Sequence, residues 1–143
     1  MALFNIREFR FPDDYSTVIH FWEKIEKGIH VGPSDAVGEI EKKLRRDPDL
    51  FLIAEEGGEF IGTVMGGFDG RRGFVYHLAV ADRFRGKGLG SLLLKEVEDR
   101  LRKKGCLRCF LFVTSDNAEA MRFYETQGWR PMDNDRPYAK DLV

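Results

Sequence analysis

The chain has 143 residues, with 23 Lys and Arg against 24 Asp and Glu, for a formal net charge of −1 at neutral pH. That length makes one ordinary domain, read as residues 1–143, which can bury a core without disulfide or metal staples. A charge balance so near zero excludes the bulk basicity of a nucleic-acid binder or of a protein held on an anionic membrane, and no apolar run is long enough to span a bilayer.

Residues 4–9 read as a first strand. Pro12-Asp13-Asp14 opens a helix whose apolar residues Tyr15, Val18, Ile19, Trp22 and Ile25 recur at helical spacing as far as Gly28. Residues 29–33 are a loop, and residues 34–46 a second helix with Val37, Ile40 and Leu44 on one face, ended by Asp47-Pro48. Three strands follow, at residues 50–55, 60–68 and 73–80. The turns Glu56-Gly57-Gly58 and Asp69-Gly70 join them into an antiparallel meander. A long helix begins at Leu89 with the stripe Leu89, Leu93, Val97 and Leu101, and Arg102-Lys103-Lys104 precede its stop at Gly105. Residues 106–113 read as a buried strand, so residues 74–113 make a parallel crossover unit. A last helix starts near Asn117, and residues 129–132 and 137–142 close the sheet as a hairpin. The expectation is an α/β (α+β) fold with a mixed, mostly antiparallel sheet of about seven strands, a parallel pair at its centre and about four flanking helices.

The stretch from Val80 to Ser91, Val-Ala-Asp-Arg-Phe-Arg-Gly-Lys-Gly-Leu-Gly-Ser, carries the most chemistry. A strand that enters a glycine-rich turn and then a helix leaves unpaired N–H groups converging at the positive end of the helix dipole. Arg83, Arg85 and Lys87 add charge to that anion site, which suits a phosphate or pyrophosphate. A P-loop is excluded, because Ala81 stands at the first glycine position and Gly88 where the Ser or Thr belongs. The dinucleotide fingerprint is excluded as well, since Ser91 takes its third glycine position and the motif lies past mid-chain. Cys106-Leu-Arg-Cys109 has no second cysteine pair and no nearby histidines, so both are taken as reduced thiols of a cytoplasmic protein; residues 1–5 show no signal-peptide pattern.

Arg85-Gly86-Lys87-Gly88-Leu89-Gly90 resembles the pyrophosphate-binding turn of the GNAT superfamily of acetyl-CoA-dependent N-acetyltransferases. The run from Val113 to Trp129, with Asn117-Ala118, Phe123-Tyr124 and Gly128-Trp129, resembles that family's second signature, and the element order is similar to the family fold along the whole length. The segment from Gly62 to Gly73 looks like the small bacterial YpeA-type subgroup. The resemblance implies an acetyl-CoA cosubstrate and no metal. The strand backbone at Leu78, Ala79 and Val80 would pair with the pantetheine arm. Residues Arg85, Gly86, Lys87, Gly88, Leu89, Gly90 and Ser91 would hold the pyrophosphate, and Asn117 would bond the arm. Tyr124 would protonate the departing thiolate. The N–H at Leu78 would polarise the thioester carbonyl. From the residues alone, Asn117 is equally a helix N-cap and Tyr124 a packed aromatic.

The family's strand-borne base would fall on Phe74 or Tyr76, neither of which is a carboxylate or imidazole. Strand alternation sets His77 on the face opposite Tyr76, which makes it a structural histidine. A water chain, Asp69, Glu26 or Asp116 remains open for that proton, and His20 and His30 for the acceptor side. Residues 21–36 and 132–138 would wall the pocket for a primary amine of a small molecule or peptide. Two function classes stay open, an N-acetyltransferase and a non-catalytic acetyl-CoA-binding sensor, and either leaves a homodimer open.

Overall fold

The computed structural model describes residues 4–25 and 27–143. These form two compact units, one running through Phe112 and the other Val113–Val143. Glu26, one of the open proton acceptors, lies outside the described residues.

In the first unit the polypeptide builds one five-stranded sheet in sequence order: β1 (Asn5–Glu8), β2 (Phe51–Glu56), β3 (Glu59–Phe68), β4 (Gly73–Val80) and β5 (Cys109–Phe110). The first three pairings are antiparallel and β4 with β5 is parallel. Helices α1 (Tyr15–Glu23), α2 (Val37–Arg46) and α3 (Leu89–Lys103) belong to this unit. β2 is the spine: Phe51, Leu52, Ile53 and Ala54 are fully buried, because both faces of the sheet are covered. On one face Trp22 of α1 stacks on Phe51, which stacks on Phe9, and Ile40, Ile53, Met65 and Ala79 complete the cluster. On the other face α3 lays down Leu89, Leu93, Val97 and Leu101, all buried, each such side chain contributing roughly 1.5–3 kcal/mol. Gly66 of β3 lets that helix approach: a Cβ there would stand 2.7 Å from a Val97 methyl.

The second unit holds α4 (Ala118–Thr126), the fourth helix among the described residues. No helix among them is long and apolar enough to cross a membrane.

Three expectations are corrected. The sheet has five strands rather than seven, because residues 129–132 and 137–142 form no strand. Pro131 and Pro137 remove donors a ladder needs, and residues 130–143 are all exposed, so no buried apolar face offsets the entropy of ordering them. The strand expected over residues 106–113 shortens to Cys109–Phe110, which puts the parallel pair at the sheet's edge rather than its centre. The expected long second helix is also split: Pro33–Asp35 is a separate 3₁₀ turn before α2.

Candidate active site

β5 pairs with β4 only at Gly73↔Cys109 and Phe74↔Phe110. Beyond Phe74, the outer edge of β4 has no strand beside it among the described residues. Leu78, Ala79 and Val80 all lie on this stretch, with Ala79 buried and its two neighbours half-buried. Backbone groups on such an edge are the groups that an extended ligand can pair with.

The inner edge of β4 is irregular at the same place. Tyr76 pairs with Met65 and Ala79 with Thr63, so two β4 residues, His77 and Leu78, oppose the single β3 residue Val64. His77 takes φ +49, the only non-glycine residue with positive φ among those described. Such a conformation costs of order 1–3 kcal/mol and persists where surrounding bonds over-determine it. Those bonds are present. The Thr63 hydroxyl donates to the His77 carbonyl at 2.8 Å and accepts from the buried Trp22 Nε1 at 2.9 Å. The His77 ring lies 4.4 Å from the Trp22 ring, centroid to centroid, and its Nε2 is 3.1 Å from Oδ1 of Asp35. Asp35 is buried, its Oδ2 accepting from the Gly32 N–H at 3.1 Å and its carbonyl from the Tyr15 hydroxyl at 2.8 Å. The bulge therefore overturns the alternation argument: His77 and Tyr76 lie on the same side of the sheet, the side of α1 and α2.

β4 ends in the glycine turn. Asp82–Phe84 forms a 3₁₀ turn anchored by the buried Phe84, and Gly86 and Gly88 follow with φ +75 and +84. An L-residue in that region costs about 1–2 kcal/mol, so both positions call for glycine. A Cβ built at either meets nothing within 4 Å, so the space over the turn is open. Gly88 is the N-cap of α3 and supplies no side chain; the first turn contains no acid, and the first intrahelical bond from this end runs from the Leu92 N–H to the Gly88 carbonyl at 3.1 Å. The N–H groups of Leu89, Gly90 and Ser91 thus precede the helix's own acceptors and remain for an anion. Of the three cations around the turn, Arg83 is ion-paired with Glu59 and stacks on Phe84, Lys87 lies 5.4 Å from the Phe84 ring, and Arg85 is 3.4 Å from Asp82. Backbone, rather than free cations, makes most of this site.

Other sequence candidates fall elsewhere. Oδ1 of Asp69 accepts from the Arg71 and Arg72 N–H groups at 2.7 Å each in the β3–β4 turn, and these bonds hold its pKa below the ordinary carboxylate value. His20 and His30 are exposed. Burial raises the Tyr76 hydroxyl above its ordinary pKa. The Cys109 thiol is pushed up to about 11, first by burial and then by the neighbouring Cys106. No group of three or more His, Cys, Asp or Glu among the described residues could hold a metal ion. In the second unit Asn117 caps α4, its Oδ1 accepting from the Ala120 N–H at 3.1 Å, which leaves its amide NH₂ as the group a ligand carbonyl would meet. Tyr124 has its hydroxyl pushed up to about 12 by burial and packs edge-on against Phe123 and Trp129. Asp116 also belongs to this unit.

Sequence reasoning missed the bulge and Asp35. A helix drawn through residues 34–46 hid the acid, whose only local signal is the Gly-Pro pair ahead of it, where a 3₁₀ turn and not an α-helix begins.

A profile of the acetyltransferase (GNAT) family matches residues 7–129. An acetyltransferase of Pectobacterium atrosepticum is 42% identical over 130 residues, which cover 90% of this chain and 89% of that one. The crystal structure of Ard1 from Thermoplasma volcanium is similar with a TM-score of 0.75 at 28% identity, over 87% of this chain and 81% of that one. The PaiA N-acetyltransferase of Thermoplasma acidophilum, solved in complex with coenzyme A, has the same fold, with a TM-score of 0.77 at 23% identity and 93% of each chain covered.

Proposed function

The chain belongs to the acetyltransferase (GNAT) family, and from that premise we propose that it is an N-acetyltransferase that moves the acetyl group of acetyl-CoA directly to a primary amine of a small molecule or peptide, with residues 1–143 acting as one functional domain. The observation that carries the reading is the open edge of β4 running straight into the acid-free, glycine-capped N-terminus of α3. One end of this track suits an extended chain of amides and the other a diphosphate. Coenzyme A in the PaiA complex is the precedent for such a ligand on this fold.

Acetyl-CoA supplies an acetyl group activated as a thioester. The backbone of Leu78, Ala79 and Val80 pairs with the pantetheine arm. Arg85, Gly86, Lys87, Gly88, Leu89, Gly90 and Ser91 bind the diphosphate, chiefly through N–H groups. Charge-assisted bonds of that kind are worth roughly 1.5–3 kcal/mol each, so about five of them anchor a cofactor after ordering costs. The Leu78 N–H, just past the bulge, polarises the carbonyl oxygen as negative charge develops on it. Asn117 donates its amide NH₂ to the arm. Tyr124 gives its proton to the leaving thiolate, a role open to it because its raised pKa keeps the hydroxyl protonated at neutral pH. Direct transfer is favoured over an acetyl-cysteine intermediate: at a pKa of about 11 the Cys109 thiol carries almost no thiolate near pH 7.

Thiol release from acetyl-CoA across a library of primary amines, with mass detection of the acetylated product, tests the proposal. Release that depends on the amine, with a product 42 mass units heavier in the expected ~1:1 ratio, supports transfer. Calorimetric binding of acetyl-CoA with no release across the library would replace the enzyme reading with the sensor.

A further inference from the structure

Resting on the N-acetyltransferase reading, we propose that His77 is the general base of this protein and Asp35 the residue that positions it, a dyad linking the β4 bulge to the Pro33–Asp35 turn. The two positions where the family places a strand-borne base carry Phe74 and Tyr76, so the proton must go elsewhere. His77 adjoins Leu78, whose N–H is assigned to the thioester oxygen, so an amine attacking that carbonyl comes within reach of the imidazole.

The ring is held from several elements at once. Trp22 of α1 packs against it at 4.4 Å, and Thr63 of β3 donates to its backbone carbonyl at 2.8 Å. Asp35 bonds its Nε2 at 3.1 Å. A carboxylate only accepts hydrogen bonds, so Nε2 carries the hydrogen and Nδ1 keeps the lone pair. Among the described residues Nδ1 has no hydrogen-bond partner, and the side chain retains 20% of its exposure. Two titratable groups of the surrounding elements have other partners: the Tyr15 hydroxyl of α1 donates to the Asp35 carbonyl, and the Lys43 ammonium of α2 to Asp47 and the Gly66 carbonyl. Tyr76 of β4 stacks on Phe74.

The step balances without a further reactant. The imidazole Nδ1 takes one proton from the acceptor's ammonium or from the nitrogen as it attacks, the C–N bond forms as the C–S bond breaks, and the thiolate leaves with a proton from Tyr124 or water. His77 returns its proton to solvent. Asp35 keeps its bond to Nε2 and so holds the ring in place through the step.

Two measurements test the dyad. In ¹⁵N-labelled protein, long-range proton–nitrogen correlation reports the tautomer, with the His77 signals assigned by their loss in His77→Gln. The expected result is Nε2–H in the wild type and a mixture of tautomers in Asp35→Asn. Nδ1–H in the wild type overturns the proposal, with or without an acceptor in hand. Thiol release from acetyl-CoA is then followed against pH with glycinamide and ethanolamine, two primary amines whose own ionisations lie well apart. A rising limb of kcat/KM at the same pH for both amines is expected. It should vanish in His77→Gln, with kcat down about 10²–10³-fold and the KM for acetyl-CoA unchanged. His77→Gly, which φ +49 accommodates, should regain rate on addition of free imidazole. A limb that follows each amine's own ionisation and survives in His77→Gln overturns the dyad while leaving transfer intact. Absence of release with both amines in a chain that binds acetyl-CoA counts against the transferase reading, and the tautomer then decides the dyad alone.

Discussion

Gly88→Asp and Gly88→Ala separate the two demands placed on the turn. Gly88 has φ +84 with no heavy atom within 4 Å of a built Cβ, so either substitution brings backbone strain and no clash. That strain costs about 1–2 kcal/mol of stability in both variants. The aspartate returns about 0.3–1 kcal/mol, because an acid at a helix N-terminus meets the positive end of the dipole. In urea unfolding Gly88→Asp should therefore be at least as stable as Gly88→Ala. Affinity should run the other way. A carboxylate roughly 6 Å from a phosphate charge, at an effective dielectric of about 20, repels it by about 3 kcal/mol. At about 1.4 kcal/mol per factor of ten, Gly88→Asp should bind acetyl-CoA on the order of a hundredfold more weakly than Gly88→Ala, and the gap should narrow with salt. Calorimetric titration of both variants at two ionic strengths measures this. Equal affinities in two folded variants would refute the assignment of this turn to the diphosphate.

Tyr124→Phe keeps the ring and removes the proton. Acetyl-CoA affinity should barely change while kcat drops about 10²-fold, the lower end for a general acid because a thiolate leaves readily; an unchanged kcat in single-turnover experiments makes Tyr124 a packing residue. Thr63→Val takes the acceptor from the buried Trp22 Nε1 and the donor from the His77 carbonyl, and should cost about 1–3 kcal/mol in urea unfolding. A loss below about 0.5 kcal/mol shows that the network does not hold the bulge. Gly66→Ala puts a Cβ 2.7 Å from a Val97 methyl and should cost about 1–3 kcal/mol, most of which the double variant with Val97→Ala should remove if the clash is the cause. Cys109→Ser should leave the rate of thiol release unchanged, since a thiol with a pKa of about 11 is no nucleophile at neutral pH; loss of acetyl transfer would point to a covalent route.

What could be read from the sequence was what residues dictate locally. Gly57, Gly58 and Gly70 bend the meander at positive φ, and Gly86 and Gly88 shape the anion turn, each announcing its conformation by lacking a side chain. The α3 stripe is a periodicity and α4's cap a single asparagine, so both were within reach of the chain's own order. The bulge was not. The residue that enters the left-handed region there is a histidine, which no local rule selects. It is held by Thr63, 14 positions away, and by Asp35, 42 positions away. Alternation along a strand assumes an unbroken ladder, and one extra residue in β4 was enough to move the imidazole to the other face. The closing hairpin failed for the opposite reason. Residues 129–132 and 137–142 could be read as its strands, but two prolines and the full exposure of residues 130–143 leave nothing to order them.

The two halves of the site constrain the ligand more tightly together than either does alone. An open strand edge is ordinarily a liability that invites another chain to pair with it, and a peptide added there would satisfy the edge while leaving the α3 terminus without its anion. A nucleotide diphosphate would satisfy the terminus and leave the edge of β4 unpaired. The edge and the terminus are close in the chain, separated by residues 81–88, so one molecule can engage both if it carries amides along its length and a diphosphate at its far end. Such a molecule then lies with its amide end along the strand, toward the bulge where Leu78 and His77 meet. The direction follows from chain order alone: the diphosphate belongs at the C-terminal end of β4 and the reacting group several residues back along it. On this reading the strained backbone at His77 stands where the reacting group arrives, which is where a protein has reason to tolerate strain.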